Sequence, residues 1–396
     1  MTTRHLVVGC GVAGMTAAQN IRKLDQSAEI TVLTDEPYPY YSRIRLIDFL
    51  SGQLKPESLF LKKEAWYADN RIKLLTNTAA TKVDAAARTV STSAGATLSY
   101  DRLLLATGGV PFVPPLPGSD LKGVFALRTM EDGIKIVEYA KNHKRIVVVG
   151  GGLLGLEAAN NLLKGGADAT VVEMFPRLLP RQMDKEGAET LKAHMERTGM
   201  KFILGVKPKM FQGGESVNAV VLEDGRRVEC DMALVSAGVR PNAALAAKLG
   251  LKIEKGVLVD DGMRTEIENV FAAGDLIQHK TVFYGIWSAS EKQGEVAGIN
   301  MAGGAAVYGG TPMSNTLKVA GVSLFSAGEV DAEGKYESVV QRTESEYKKI
   351  VISGGVVIGA ILYSDVRLRL KMTDAIASKK DVSGVMDKLR SWNTDW

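Results

Sequence analysis

Residues 6–14 read LVVGCGVAG, and this stretch decides the fold. The short apolar run predicts a buried β-strand, and the GxGxxG spacing that ends it predicts a tight turn into a helix. Gly9 permits the turn, Gly11 lets the backbone approach a pyrophosphate, and Gly14 lets the helix pack close to the strand. Because free N–H groups at a helix N-terminus attract phosphate, the stretch predicts a dinucleotide site.

An acid follows at the distance that a bound ribose requires. We predict a helix over 15–24 and a second strand over 30–33, which ends at Asp35 and Glu36. This places the acids about 20 residues after the glycines, where a carboxylate accepts hydrogen bonds from ribose hydroxyls. The first unit is therefore a complete strand–helix–strand nucleotide-binding motif.

A second motif of the same kind begins at residues 145–155, RIVVVGGGLLG. A predicted helix over 156–164 and a predicted strand over 169–172 follow, and the strand ends at Glu173. A single glycine-rich turn is weak evidence, whereas two in the same context, each with its acid, indicate two dinucleotide sites.

A third element also occurs twice. Residues 103–108 read LLLATG and residues 234–238 read LVSAG, each an apolar strand that ends at a small residue and a glycine. Each would close its unit and bring the backbone near a ligand. The chain therefore looks like a duplication, with one unit for each dinucleotide.

Composition excludes several functional classes. The chain has 396 residues, 45% hydrophobic and 24% charged, with a net charge of +4. Its two cysteines, Cys10 and Cys230, form no CxxC motif, so we expect neither a disulfide framework nor a metal site. No nucleic-acid motif, secretory signal or apolar run of spanning length is recognisable, so we expect a cytoplasmic protein with no stable membrane insertion.

Two further motifs make the chain similar to a known family. Residues 265–275 read TEIENVFAAGD and residues 286–298 read IWSASEKQGEVAG. With these, the chain resembles the pyridine nucleotide-disulfide oxidoreductase superfamily of FAD enzymes, closely over residues 1–310. In that family the aspartate that matches Asp275 bonds the ribitol chain of FAD. The helix that matches 286–298 points its N-terminus at the flavin.

The resemblance implies an α/β fold with two Rossmann-like domains of the glutathione reductase type and a small α+β C-terminal domain. FAD would bind residues 1–112 and 245–311, NAD(H) would bind residues 113–244, and residues 312–396 would form the C-terminal domain. Within the last of these we predict strands over 338–343, 348–353 and 356–363.

Together, the motifs and the resemblance give two sets of candidate residues. The FAD candidates are Gly9, Gly11, Val12, Ala13, Gly14, Asp35, Glu36, Arg43, Ala106, Thr107, Gly108, Gly274, Asp275 and Trp287. The NAD candidates are Gly150, Gly152, Leu153, Leu154, Gly155, Glu157, Glu173 and Gly238.

Two acids in the second unit have separate expected roles. Glu157 matches the family glutamate near the nicotinamide. Glu173 favours NADH by repelling a 2′-phosphate, although the nearby Arg177 leaves NADPH open. No protein acid or base is assigned as catalytic, since hydride transfer to flavin requires none.

The stretch 40–50, YYSRIRLIDFL, has no cysteine where the thiol-dependent branches of the family carry one. Electrons must then leave the flavin directly. The stretch is similar to segments of NADH:rubredoxin oxidoreductases and of the flavin module of NADH-dependent nitrite reductases. Asp48 falls close to where oxygenase-type ferredoxin reductases usually have a lysine, so that branch is disfavoured. Arg43 is the candidate to contact FAD or to close over it.

We therefore predict an FAD-dependent NADH oxidoreductase that reduces a small electron carrier such as rubredoxin, as a monomer or homodimer. The open alternatives are a peroxide-forming NADH oxidase, the NADH-oxidising flavin component of a nitrite reductase, and a redox-responsive binding flavoprotein.

Overall fold

The structure is a computed structural model that describes residues 2–312, 314–319 and 321–392, with the backbone alone at 314–317 and 319. The chain divides into two compact units. The first comprises Met1–Ser42, Pro56–Pro111 and Gly238–Thr311, and the second comprises Arg43–Lys55, Phe112–Ala237 and Pro312–Trp396.

In the described part of the chain the helices are α1 (Val12–Leu24), α2 (Leu46–Phe49), α3 (Glu64–Asp69), α4 (Met130–Ala140), α5 (Leu153–Lys164), α6 (Lys185–Arg197), α7 (Ala244–Leu249), α8 (Trp287–Met301), α9 (Arg369–Ala377) and α10 (Met386–Arg390). Short 3₁₀ turns occupy Pro56–Leu59 and Ser383–Val385.

The strands are β1 (Arg4–Val8), β2 (Glu29–Leu33), β3 (Ile72–Leu75), β4 (Ala80–Asp84), β5 (Thr89–Thr92), β6 (Thr97–Ser99), β7 (Arg102–Leu105), β8 (Gly109–Pro111), β9 (Val124–Ala126), β10 (Arg145–Val149), β11 (Asp168–Glu173), β12 (Lys201–Leu204), β13 (Pro208–Gly213), β14 (Val217–Leu222), β15 (Arg227–Glu229), β16 (Met232–Val235), β17 (Val239–Pro241), β18 (Val257–Val259), β19 (Val270–Ala272), β20 (Ile277–His279), β21 (Ser314–Val319), β22 (Val322–Gly328), β23 (Glu337–Arg342), β24 (Tyr347–Ser353) and β25 (Val356–Tyr363).

A five-stranded parallel sheet of order β19-β7-β1-β2-β3 forms the centre of the first unit. Strands buried on both faces read as continuous apolar runs, and β1 and β7 do so. The second unit repeats the arrangement as β9-β16-β10-β11-β12, again all parallel. The predicted α/β class with two Rossmann-like halves is confirmed.

The two repeats differ in the origin of one edge strand. In the first unit the edge strand next to β7 is β19, which comes late in the chain, whereas the matching β9 precedes the rest of its sheet. Each unit adds an antiparallel three-stranded sheet, β4-β5-β6 in the first and β13-β14-β15 in the second. These small sheets were not predicted.

Both nucleotide helices begin three residues earlier than predicted. α1 begins at Val12 and α5 at Leu153, immediately after the extended N-cap residues Gly11 and Gly152. The prediction was late because it started each helix where apolar periodicity resumes, whereas the chain turns helical within the glycine motif itself.

The C-terminal residues form a five-stranded antiparallel sheet of order β21-β22-β25-β24-β23. The three predicted strands are confirmed, the third with the predicted bounds and the first two shifted by one residue, while β21 and β22 were missed. Helices α9 and α10 cover the sheet, and Val382 and Leu389 are buried in a core of their own with Met372.

The segment Arg43–Lys55 groups with the second unit, whereas the predicted boundaries place it in the FAD domain. The physical reason is the packing of α2, because the ring of Phe49 lies 3.1 Å from where a Cβ of Gly133 in α4 would be. The assignment of a cofactor to each domain stays a prediction. No helix in the described ranges is both long and apolar enough to cross a bilayer.

Helices α1 and α8 of the first unit touch backbone to backbone. A Cβ on Gly294 would lie 2.3 Å from the carbonyl oxygen of Ala13, and one on Gly298 would lie 2.5 Å from that of Ala17. Real Cβ atoms do not approach so closely, so α8 can pack here only because it has glycine at these two positions.

We expect Gly294→Ala to destabilise the protein, although alanine is the better helix former by about 1 kcal/mol. The added methyl must push α8 away from α1, which costs about 1–3 kcal/mol and lowers the melting temperature. Gly214→Ala is the matched control, because a Cβ there meets no heavy atom of the described chain within 4 Å. Equal melting temperatures for the two variants would contradict the helix contact.

Candidate functional site

The first glycine turn joins three strands of its sheet. The N–H of Gly9 donates to the carbonyl of Leu33 at 2.9 Å, and the N–H of Ala106 donates to that of Val8 at 2.8 Å. Gly9 has φ +118°, a conformation that favours glycine. The turn is thus fixed by β2 on one side and by the end of β7 on the other.

The three fingerprint glycines of this turn differ in the space around them. A Cβ on Gly9 would lie 2.1 Å from the carbonyl oxygen of Ala106, and one on Gly14 would lie 2.0 Å from that of Gly9. A Cβ on Gly11 would meet nothing within 4 Å in the residues that the structure describes. Gly9 and Gly14 are therefore required by the fold, and Gly11 faces free space.

The second turn repeats this pattern. A Cβ on Gly150 would lie 2.2 Å from the carbonyl oxygen of Ser236, and one on Gly155 would lie 2.0 Å from that of Gly150. A Cβ on Gly152 would meet nothing within 4 Å in the part of the chain that the structure describes. Gly11 and Gly152 thus leave open the position at which each backbone could approach a pyrophosphate.

Each open glycine is the N-cap of a long helix. Val12 and Ala13 form the first turn of α1, and Leu153 and Leu154 form the first turn of α5. Helix N-termini carry unpaired N–H groups and a partial positive charge, which suit the phosphates of a dinucleotide.

Candidate residues also follow β7 and β16, and both Thr107 and Gly238 belong to the first unit, although Gly238 is predicted as an NAD contact within residues 113–244. The Thr107 hydroxyl donates to the carbonyl of Asn242 at 2.8 Å, and Asn242 N–H donates to the carbonyl of Gly108 at 2.8 Å. Gly238 has φ +108°, and a Cβ there would meet no atom of the described residues within 4 Å. Thr107 is thus engaged by its own unit, while Gly238 is open.

The GD motif lies against the N-terminal half of α8. Gly274 N–H donates to Gln293 Oε1 at 3.0 Å, and Ser290 Oγ donates to Asp275 Oδ1 at 3.2 Å. A Cβ on Gly274 would lie 3.0 Å from the Cβ of Ala13, so the motif is adjacent to the first turn of α1. Gln293 and Ser290 could not be predicted as partners of this motif, because the sequence of a helix does not indicate which groups its polar side chains contact.

Trp287 opens α8 and stacks on Tyr40, with ring centroids 6.4 Å apart and an interplanar angle of 18°. Its N-cap is Ile286, whose side chain has no acceptor for the free N–H groups of the first turn. That end of α8 can therefore stabilise negative charge, as the predicted flavin contact requires.

The candidate acids occupy different positions in the two repeats. Leu33 and Val172 are equivalent, since each accepts a hydrogen bond from the first glycine of its turn. Glu173 therefore matches Thr34, and Asp35 and Glu36 lie one and two residues further on. Asp35 is exposed. Glu36 Oε2 accepts a hydrogen bond from the Tyr41 hydroxyl at 2.6 Å.

Glu173 is buried, with a relative exposure of 6%. Its Oε2 accepts from Gly151 N–H at 2.6 Å, and its Oε1 accepts from Phe175 N–H at 2.9 Å. The carboxylate therefore shapes the glycine turn, and its second lone pairs remain for a ribose hydroxyl.

Two candidates with separate surroundings, Glu157 and Arg43, lie in the second unit. Glu157 is partly buried and accepts from Lys318 N–H at 3.5 Å. Arg43, predicted as an FAD contact, donates to the carbonyl of Arg128 at 2.9 Å and belongs to a different unit from the other FAD candidates. The structure thus groups every other FAD candidate in the first unit.

The two cysteines lie in different surroundings. Cys10 lies in the glycine turn with its Sγ 3.8 Å from the Tyr67 hydroxyl. Cys230 is buried in an apolar cluster, and burial raises the pKa of its thiol to about 12. Within the described residues no group of three or more histidine, cysteine or acidic side chains could hold a metal ion.

Comparison with known proteins gives two family matches. A model described as pyridine nucleotide-disulphide oxidoreductase matches residues 3–294. A model described as the rubredoxin NAD+ reductase C-terminal domain matches residues 312–380.

Individual relatives agree with these models. The chain is 36% identical over 382 residues to a nitrite reductase (NAD(P)H) of Bacillus subtilis, covering 96% of this chain and 48% of that protein. It is 30% identical over 386 residues to an NADH-rubredoxin oxidoreductase of Clostridium acetobutylicum, covering 97% of both. The structure of an NAD-dependent persulfide reductase from A. fulgidus superposes with a TM-score of 0.90 at 28% identity, covering 97% of this chain and 78% of that one.

The chain spans about half the length of the nitrite reductase but nearly all of the rubredoxin oxidoreductase. The family, the enzyme class and the cofactors predicted from the sequence are confirmed. The chain belongs to the pyridine nucleotide-disulphide oxidoreductase family, enzymes that use FAD and NADH.

Proposed function

We propose that the chain passes electrons from NADH through FAD to a small redox protein, rubredoxin. One observation carries the proposal. Both units have the same turn, in which two glycines are closed in by backbone and the middle one, Gly11 or Gly152, faces free space. Two such turns in one chain fit two dinucleotides held at the same time.

In this proposal the first unit holds FAD. The N-terminus of α1 with Gly11 receives the pyrophosphate, Asp275 receives the ribitol chain, and the N-terminus of α8 faces the flavin. The second unit holds NAD(H) with Gly152 at the pyrophosphate and Glu173 at the adenosine ribose. The burial of Glu173 beside that turn supports NADH over NADPH, because a 2′-phosphate would meet a carboxylate in a poorly solvated position.

FAD supplies the redox chemistry, because flavin accepts a hydride and can release the two electrons one at a time. The chain's own residues bind and orient the partners, and neither cysteine lies in the stretch 40–50, where the thiol-dependent branches carry one. A one-electron carrier is then a fitting acceptor. The match of residues 312–380 to the C-terminal domain of rubredoxin reductases supports rubredoxin in particular.

A second candidate acceptor system has its own support. Nearly the whole chain aligns with half of a nitrite reductase, so the same flavin module can serve a larger reductase assembly. In that case the electrons pass to nitrite-reducing centres that lie outside the 396 residues described by this sequence.

The two open glycines allow a direct test of which unit holds which cofactor. Gly11 (φ −89°) and Gly152 (φ −80°) have backbone conformations that alanine adopts without strain. We expect Gly11→Ala to fold but to lose bound FAD on purification. Gly152→Ala should keep its yellow colour and raise the Kd for NADH by roughly 10-fold or more, since a methyl displaces the pyrophosphate by more than an ångström.

Flavin content and NADH titration measure these effects, with melting temperature as the check on folding. Gly214→Ala serves as the control for handling and expression. If Gly11→Ala retained full FAD and Gly152→Ala bound NADH normally, the assignment of both turns would be wrong.

Glu157 gives the protein a dependence on pH. Burial, and to a lesser degree the nearby charge of Asp48, raises the pKa of Glu157 to about 7. The folded state therefore prefers the neutral carboxyl group more strongly than the unfolded state does. The stability that the neutral carboxyl group of Glu157 contributes is fully present below about pH 4 and is lost as the pH rises through about 7.

We expect Glu157→Gln to be more stable than the wild type at pH 8.5, by about 1–3 kcal/mol, and nearly equal to it at pH 4. The amide keeps the shape of the side chain and removes the cost of ionisation. Melting temperatures across this range measure the difference. Glu295→Gln, at an exposed position of α8, should show no such trend. If the melting temperatures of Glu157→Gln and Glu295→Gln changed with pH in the same way, the raised pKa of Glu157 would be contradicted.

The acceptor is tested by two-stage rapid mixing. Protein with bound FAD is first mixed anaerobically with NADH, and the loss of flavin absorbance is followed. It is then mixed with rubredoxin, with oxygen or with buffer. We expect rubredoxin to restore the absorbance at least about 10-fold faster than air-saturated buffer.

Other outcomes point to the alternatives. Restoration by oxygen as fast as by rubredoxin, with release of peroxide, would identify an NADH oxidase. Slow restoration with every acceptor would favour a redox-responsive binding protein.

A further inference from the structure

We propose that Tyr347 and Lys349, in strand β24 of the C-terminal sheet, are positioning residues for NADH. They act through Asp184, which ends the loop between Glu173 and helix α6. This inference rests on the proposed function, in which the second glycine turn holds NAD(H). It assigns to the C-terminal sheet a role in the affinity for nicotinamide nucleotide.

The side chains form a buried polar network. The Tyr347 hydroxyl donates to Asp184 Oδ2, and Lys349 Nζ donates to the same oxygen at 3.0 Å. Lys349 Nζ also donates to the carbonyl of Asp331 at 3.0 Å and lies 3.6 Å from its Oδ2. All four residues are less than 10% exposed, so water screens these interactions little.

The contact falls at the start of α6. Asp184 is the N-cap of that helix, and its Oδ1 accepts from Gly187 N–H at 3.0 Å. A Cβ on Gly187 would lie 2.9 Å from the ring of Tyr347, so the ring packs directly on the first turn. Both oxygens of Asp184 are therefore used, one by its helix and one by the C-terminal sheet.

A short path of hydrogen bonds leads from Asp184 to the glycine turn. Met183 N–H donates to the carbonyl of Leu179 at 2.9 Å, and Leu179 N–H donates to the carbonyl of Gly151 at 3.1 Å. Gly151 N–H in turn donates to Glu173. Gly151 precedes the open glycine of the second turn, so the loop touches the place where the pyrophosphate would bind.

Leu179 shows that this loop is held under constraint. It has φ +48°, a left-handed conformation that is unfavourable for a residue with a side chain, and it is fully buried. Such a conformation persists only where the surroundings impose it. The surroundings here are Gly151 on one side and the Met183–Asp184 segment, anchored by Tyr347 and Lys349, on the other.

Releasing the anchor should let Leu179 relax and shift the carbonyl of Gly151. NADH affinity would then fall, while the first unit and its FAD would be untouched.

Tyr347→Phe is the main variant, because it removes one hydroxyl and keeps the packing. We expect the Kd for NADH and for ADP-ribose to rise by the same factor, about 2- to 30-fold. FAD content and the rate at saturating NADH should stay at wild-type values. Equal effects on ADP-ribose and NADH place the change at the adenosine and pyrophosphate half.

Tyr363→Phe is the matched control. Tyr363 is a buried tyrosine of the adjacent strand β25, paired with Tyr347 in register, and its hydroxyl has no hydrogen-bond partner among the described residues. Removing that hydroxyl should leave both Kd values unchanged. If Tyr347→Phe binds both ligands as tightly as Tyr363→Phe does, the inference is overturned.

Lysine variants give a second comparison. Lys349→Met removes the cation between Asp184 and Asp331, whereas Lys348→Met removes a buried lysine of the opposite face, which pairs with Asp365 at 2.8 Å. Weaker NADH binding in Lys349→Met than in Lys348→Met supports the inference. Equal binding in the two, with both folded, overturns it. If either lysine variant does not fold, the comparison of Tyr347→Phe with Tyr363→Phe decides the inference.

Gly152→Ala, measured in the same series, separates the two proposals. If Gly152→Ala weakens NADH binding and Tyr347→Phe does not, only the positioning role is wrong. If Gly152→Ala binds NADH normally, the nucleotide is not at this turn and both proposals are wrong.

Discussion

The structure depends on two places where the backbone approaches itself too closely for any side chain. At Gly9 the carbonyl of Ala106 occupies the space of a Cβ, and at Gly150 the carbonyl of Ser236 does the same. These contacts join the carboxyl ends of β1 and β7 in the first repeat, and those of β10 and β16 in the second. The helix that follows must then start at once, with its N–H groups directed to the edge where a ligand binds in sheets of this kind.

The duplication shows which features this constraint fixes. Strand order, the closed outer glycines and the open middle glycine are the same in both repeats. The edge strand and the position of the acid differ between the repeats. Strand β19 comes from the end of its repeat and β9 from the start, and Glu173 is equivalent in position to Thr34. Backbone geometry therefore sets the glycine side of each turn, and the side with the acid differs between the two repeats.

The same distinction explains what could be predicted from the sequence. Strands β1, β7, β10 and β16 and both turns were predicted, because apolar runs and glycine spacing are local signals. Contacts such as Gln293 with Gly274, or Tyr347 with Asp184, join residues far apart in sequence and have no local pattern. Adjacent lysines in β24 even look like a solvent-exposed strand, whereas the fold buries both beside carboxylates.

Hydride transfer between two stacked cofactors needs orientation more than it needs a protein acid or base. The polar groups that the fold buries near the second turn agree with this requirement. Glu173 and Asp184 each use both carboxylate oxygens on neighbouring protein atoms, and so hold the backbone in place. Buried carboxylates that are hydrogen-bonded at both oxygens hold this loop and its glycine turn in one arrangement.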